Sequence, residues 1–205
     1  MFLLGVLFST VVDGQRAGVL ENELKENLVE LESRNLQLNY LKSSEVQSCS
    51  VLKEGLSNTV SDYNDRLEKV KIYQEESLLR KQKFEPIKQR YVLSGIRYWI
   101  FAEDLKQKCS YNADTILFFR KSIGSDAGCE QCKRQGEQLS LLKKRYDDRI
   151  LIFSVPLNME DGMIEILEKQ YNVSDVPVLV LNGNKTLHNY HSRSEIIREL
   201  NLSEE

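Results

Sequence analysis

The chain has 205 residues, with Lys+Arg 28 against Asp+Glu 31 and a net charge of −3; 41% of residues are apolar and 29% charged. With only 3 Pro and 10 Gly, a collagen-like, proline-rich or wholly disordered chain is excluded. The near balance of charge gives no footprint for nucleic acid. Four cysteines are too few for a disulfide-scaffolded miniprotein and enough for one redox or metal site.

The run Phe2 to Val12 is apolar apart from Gly5, Ser9 and Thr10. As a helix it reaches roughly 16 Å, against a bilayer core of about 30 Å. No Lys or Arg precedes it, so the basic start of a signal peptide is missing. Residues 1–19 are read as a partial signal anchor or transmembrane helix whose beginning lies outside this chain. A buried helix end and a cleaved signal are the alternatives.

Residues 20–110 are read as a helical coiled-coil or hairpin region. Leu24, Leu28, Leu31, Leu38 and Leu41 recur at helical steps, and Ser43-Ser44-Glu45 interrupts them. A second series runs Cys49, Leu52, Leu56, Val60, Tyr63, Leu67, Val70. Pro86 predicts a break at 81–86, because proline opens a helix more readily than it sits inside one. A third, more apolar helix carries Ile87, Tyr91, Ile96, Trp99 and Ile100 and ends near Cys109. This region reads either as a spacer packed only on itself or as a partner-binding coiled coil, including a coiled-coil dimer.

An antiparallel hairpin pairs residues at equal distances from its turn. Cys49 and Cys109 are equidistant from residue 79, close to the expected break. They are predicted to form a structural disulfide closing a loop of about 60 residues, worth roughly 3–4 kcal/mol. That bridge needs an oxidising compartment. Two unrelated thiols are the alternative.

Residues 111–205 alternate β-type runs with amphipathic helices. Strands are predicted at 115–119, 150–155, 176–181 and 185–190, and helices from Cys129 to Tyr146, Met163 to Tyr171 and Ser194 to Leu200. Asn182-Gly183 is a hairpin signal. The order is β-α-β-α-β-β-α. Right-handed helix crossovers and one hairpin then give a mixed four-stranded sheet, order 2-1-3-4, with helices on both faces.

Cys129-Glu130-Gln131-Cys132 follows a strand and opens a helix. A cysteine there faces unpaired backbone N–H groups and the positive end of the helix dipole, which favours the thiolate. Cys129 is the expected attacking thiol, and Cys132, on the same helical face and more enclosed, the resolving one. Lys133 and Arg134 add positive charge; Glu130 and Asp126 oppose it. A zinc site would need two further ligands, which Cys49 and Cys109, in another part of the chain, do not offer. His188 and His191 read as strand-end surface residues, so no metal or organic cofactor is expected.

The pair Cys129 and Cys132, with Val176-Pro177 opening the third strand 45 residues after Cys132, resembles the thioredoxin-like family over about residues 114–202. The resemblance implies an α/β thioredoxin-like fold and a cis-Pro177 beside the redox cysteines. It also implies that Val176 and Pro177 present a backbone edge where a substrate chain aligns. Gly128 stands where the family has Trp, Glu130-Gln131 where it has Gly-Pro, and Phe118 about where many members carry a buried acid. The whole layout is similar to membrane-anchored thioredoxin-like proteins of archaea with an N-terminal helical hairpin.

The function expected is a membrane-tethered thiol–disulfide oxidoreductase acting on protein thiols and disulfides. Its redox domain is extracytoplasmic, and a membrane or soluble redox partner recycles it. The sequons at Asn172, Asn184 and Asn201 permit that location. A coiled-coil scaffold carrying a redox-passive thioredoxin-like domain is the competing reading. Electron relay between the two cysteine pairs is a third, and it requires the pairs to approach each other.

Overall fold

A computed structural model describes residues 33, 35, 39, 48–76, 81–121 and 129–202. The expectations for residues 1–19 and for the first leucine series fall outside the described residues. The chain divides after Gln47, and Ser48–Glu205 is one compact unit. Among the described residues, no helix is long and apolar enough to cross a membrane.

The unit begins with two long helices, α1 (Cys49–Glu76) and α2 (Lys81–Cys109). The predicted period is visible in α1, where Leu52, Leu56 and Val70 are buried. α2 departs from expectation at its start. It begins at Lys81 and carries Pro86 inside it. The proline sits five residues into the helix and is exposed, so the helix loses one hydrogen bond near its end rather than breaking.

The sheet follows. Strand β1 (Asp114–Arg120) leads to α3 (Glu130–Tyr146), then β2 (Ile150–Pro156), α4 (Gly162–Gln170), β3 (Val178–Leu181), β4 (Lys185–His188) and α5 (Arg193–Glu199). The strand order is β2-β1-β3-β4, as expected. β1 and β2 are parallel, but β3 is antiparallel to β1, so only the first helix crossover yields a parallel pair. β3 and β4 form an antiparallel hairpin, with Leu181 opposite Lys185. Asn182 and Gly183 both take positive φ, 50° and 65°, as the primed turn demands. The third strand starts two residues later than expected, at Val178, leaving Val176 and Pro177 outside the ladder. This is the thioredoxin-like fold.

The central strands β1 and β3 are buried on both faces, so both faces need cover. Ile116, Phe118, Leu179 and Leu181 meet α3 and α5 through Leu139, Leu142, Ile196 and Ile197. The opposite face is where the expectation of a self-packing spacer, with a boundary near residue 110, gives way. Tyr98 and Tyr63 stack edge-on against Phe153 of β2, at 5.0 and 6.2 Å between centroids. Trp99 meets Tyr171 at the end of α4, which in turn meets Phe119. α2 is therefore buried on two sides, by α1 and by the sheet, and the hairpin is a layer of the domain. Phe101 and Leu105 are fully buried in it; such side chains contribute about 1.5–3 kcal/mol each. α1 and α2 pair as the expected antiparallel hairpin, closed at its open end by Cys49–Cys109.

Polar groups fasten the far pole of the sheet. The Asn182 side chain accepts from Lys106 Nζ and from the Thr115 backbone N–H, and donates to Asp114 Oδ1. Thr115 Oγ1 donates to Glu103 of α2. α2, β1 and the β3–β4 turn are locked together there.

Candidate active site

The site forms where β1 ends. β3 runs antiparallel to β1, with Val178 opposite Phe119, so the residues just before β3 arrive where the chain leaves β1. The helix that follows β1 starts at the same edge. The topology thus brings Cys129, the first cap of α3, to Val176-Pro177, 47 residues later in the chain.

Cys129 is the N-cap of α3, and its Sγ accepts from the backbone N–H of Cys132 at 3.2 Å. The sulfur takes the place that a Ser or Asp oxygen takes at other helix starts. The same N–H, with the helix dipole behind it, supports negative charge on that sulfur once it is reduced. The Sγ also lies 4.0 Å from the carbonyl oxygen of Val176. The Val176–Pro177 peptide bond is cis. The two sulfurs are bonded to each other. Cys129 is 7% exposed and Cys132 1%, so the helix-first residue is the less enclosed of the pair.

The second pair sits elsewhere. Cys49 and Cys109 form a disulfide with 5.6 Å between Cα atoms, joining the open ends of α1 and α2. Cys109 precedes β1, whereas Cys129 follows it. β1 spans roughly 20 Å, so the two disulfides lie at opposite poles and the relay reading has no contact to work through.

His188 and His191 lie at the end of β4 and just beyond it. His191 Nε2 pairs with the His188 carbonyl at 3.0 Å, and His191 Nδ1 lies 3.9 Å from Glu195. Among the described residues, no group of His, Cys, Asp or Glu is placed to hold a metal ion.

No family model matches the sequence, and no curated protein matches it. Among solved structures, a malarial protein is similar at 23% identity, covering 44% of this chain and 96% of its own, with a TM-score of 0.36. Thioredoxin-2 of the malaria parasite, a component of its protein secretion machinery, is 22% identical over 45% of this chain and 84% of its own (TM-score 0.37). Chloroplastic thioredoxin z is 14% identical over 45% and 79% (TM-score 0.36). The fold assignment rests on the strand order and connectivity described above.

Two features of the site were not anticipated from sequence. Gln135 is fully buried on the same face of α3 as Cys132, and its Oε1 accepts from the backbone N–H of His191 at 2.8 Å. Arg134 lies over the Tyr190 ring, 4.6 Å from its centroid. Together they hold the segment between β4 and α5 against the start of α3. The sequence signal for Gln135 was a polar residue on the core stripe Cys132, Leu139, Leu142. The second feature is a cleft of about 500 Å³ along α3, bordered by Cys132, Lys133, Gly136, Glu137 and Leu141, with Arg120 at the end of β1.

Proposed function

We propose that this chain is a thiol–disulfide oxidoreductase acting on protein disulfides or dithiols. The observation that carries the reading is the capping geometry at Cys129. The sulfur of Cys129, the less enclosed residue of a C-x-x-C pair, accepts the Cys132 N–H at the start of a helix, beside the Val176 carbonyl. In the reducing direction, the Cys129 thiolate attacks one sulfur of a substrate disulfide and releases the other as a thiolate. Cys132 then loses its proton, attacks Cys129 Sγ and releases the second substrate thiolate. Two electrons pass to the substrate, and the protein is left as the Cys129–Cys132 disulfide. Val176 and Pro177, outside the ladder, offer the backbone edge against which the substrate chain aligns. The oxidising direction runs these steps in reverse.

The second disulfide, Cys49–Cys109, fits an oxidising compartment. With the apolar run Phe2–Val12, it supports an extracytoplasmic redox domain tethered to a membrane by the N-terminal segment. A membrane or soluble redox partner recycles the pair.

Turnover of a protein disulfide such as insulin tests the activity. Cys129→Ser abolishes turnover in either direction, and Cys132→Ser accumulates mixed disulfides with substrate. Equal turnover by wild type and Cys129→Ser overturns the reading. For the tether, the full chain expressed in cells resists alkaline extraction from membranes; quantitative release at high pH removes that part alone.

A further inference from the structure

We propose that the cleft along α3 seats the substrate chain and selects for an acidic side chain near the substrate cysteine. This rests on the redox reading above and names the substrate class for it. The cleft touches Cys132 at one end and Leu141 at the other. Its border beside the sulfurs carries the exposed Lys133, with Arg120 at the end of β1; the exposed Glu130 stands between the two cysteines and Glu137 one helical turn beyond Lys133. Lys133 is exposed, and Leu141, the apolar residue at the far end, is 45% exposed.

Gly136 is the second, independent observation. A glycine inside a helix is less favourable than alanine. Packing does not require it here: a Cβ at Gly136 would meet only Phe118 Cε1, at 3.8 Å, an ordinary contact. What the missing side chain does is leave the floor of the cleft open, four residues after Cys132. A long side chain here would start beside the Phe118 ring at the border of the cleft and narrow it.

The dimensions set the recognition pattern. Lys133 is four residues beyond Cys129, about 6 Å along the helix, and Leu141 is twelve beyond it, about 18 Å. An extended chain advances about 3.3 Å per residue. A substrate crossing the sulfurs at its cysteine therefore meets Lys133 with about its second residue and Leu141 with about its fifth. The fitting substrate is an extended, unfolded or loop segment of a protein, with Asp or Glu two residues from the reacting cysteine and an apolar residue about five away.

The test uses the reduced full chain and synthetic peptides whose single cysteine carries a thionitrobenzoate leaving group. Attack by the Cys129 thiolate forms the protein–peptide disulfide and releases coloured thionitrobenzoate. Cys132 then releases the peptide thiol and closes the protein disulfide. The first step reads out whether or not the protein turns over any natural substrate, so failure of the redox reading shows separately, in the insulin assay. The peptide with Asp at the second position is expected to react at least fivefold faster than its Lys counterpart at low salt, with the gap narrowing in 0.5 M salt. Lys133→Glu is expected to reverse the order. Gly136→Leu is expected to slow both peptides while leaving the rate with the small disulfide of 2-mercaptoethanol unchanged. Equal rates for the Asp and Lys peptides, or an order that Lys133→Glu leaves intact, overturns the proposal.

Discussion

Tyr63, Tyr91 and Tyr98 carry phenols into the layer between the hairpin and the sheet. Tyr63 and Tyr91 share a hydrogen bond of 2.7 Å, and Tyr98 packs edge-on to Phe153. Burial pushes the Tyr98 phenol up to about 12, with the neighbouring Tyr111 and Asp148 adding to the shift. Burial raises Tyr63 and Tyr91 as well, and for Tyr63 the Tyr91 phenol adds to the rise. A phenol with a raised folded-state pKa stays neutral where the unfolded chain already ionises. Its contribution to stability is complete below about pH 10, the unfolded value, and is lost as pH rises through the folded value. The urea midpoint is therefore expected to be flat from pH 8 to 10 and to fall between pH 10 and 12. Tyr98→Phe is expected to fall less over that window. An identical fall in the variant means that the alkaline sensitivity lies elsewhere.

At the scale of elements, α3 is joined to the β4–α5 segment through one buried amide. Gln135→Met keeps the shape of the side chain and deletes the acceptor of the His191 N–H. That leaves a backbone donor without its partner, a loss of about 1–3 kcal/mol. Urea denaturation measures it, and faster amide exchange at His191 assigns it to this bond; unchanged stability and exchange would show that water replaces the amide. Gln135 was present in the sequence as a polar residue on an apolar stripe, but the pattern does not say what the amide pairs with, because its partner is a backbone group 56 residues away. The same limit applies to α2. Ile87, Tyr91, Ile96 and Trp99 announced an apolar helix but not its two faces. Tyr91, Tyr98 and Leu105, seven residues apart, share one face, while Val92, Ile96 and Trp99, at steps of four and three, share another that needed a second neighbour, and a helix apolar on two sides is an interior one. The strand order was legible because turn signals and crossover rules act locally, whereas the meeting of Cys129 with Val176-Pro177 was legible only through the resemblance to the thioredoxin-like family. The direction of β3 was not, since a crossover of nine helical residues leaves the sense of the next strand open. The cleft along α3 was invisible for a related reason: it depends on a side chain that Gly136 lacks.

At the scale of the molecule, the unit Ser48–Glu205 carries its two disulfides at opposite ends, and the consequences of breaking them differ. Opening Cys129–Cys132 frees a loop of three residues at a surface edge. Opening Cys49–Cys109 frees a loop of 60 residues, and the chain-entropy argument assigns that closure roughly 3–4 kcal/mol. If the hairpin were a spacer, the loss would be confined to it, and the sheet would melt at its own midpoint. Here α2 covers one face of the sheet, and Phe153, Tyr171 and Thr115 all lose partners when it leaves. The sheet cannot keep that face in water, so hairpin and sheet unfold together. The Cys49→Ala/Cys109→Ala chain is expected to be less stable by about 3–4 kcal/mol and to unfold in one urea transition. Trp99 fluorescence follows the hairpin layer and far-ultraviolet dichroism follows the whole unit. Coincident curves support the single body; a fluorescence midpoint well below the dichroism midpoint would show that the hairpin detaches first. The peptide-exchange rate at Cys129 in native buffer should be unchanged in this variant, since the bridge lies at the far pole from the reacting sulfur.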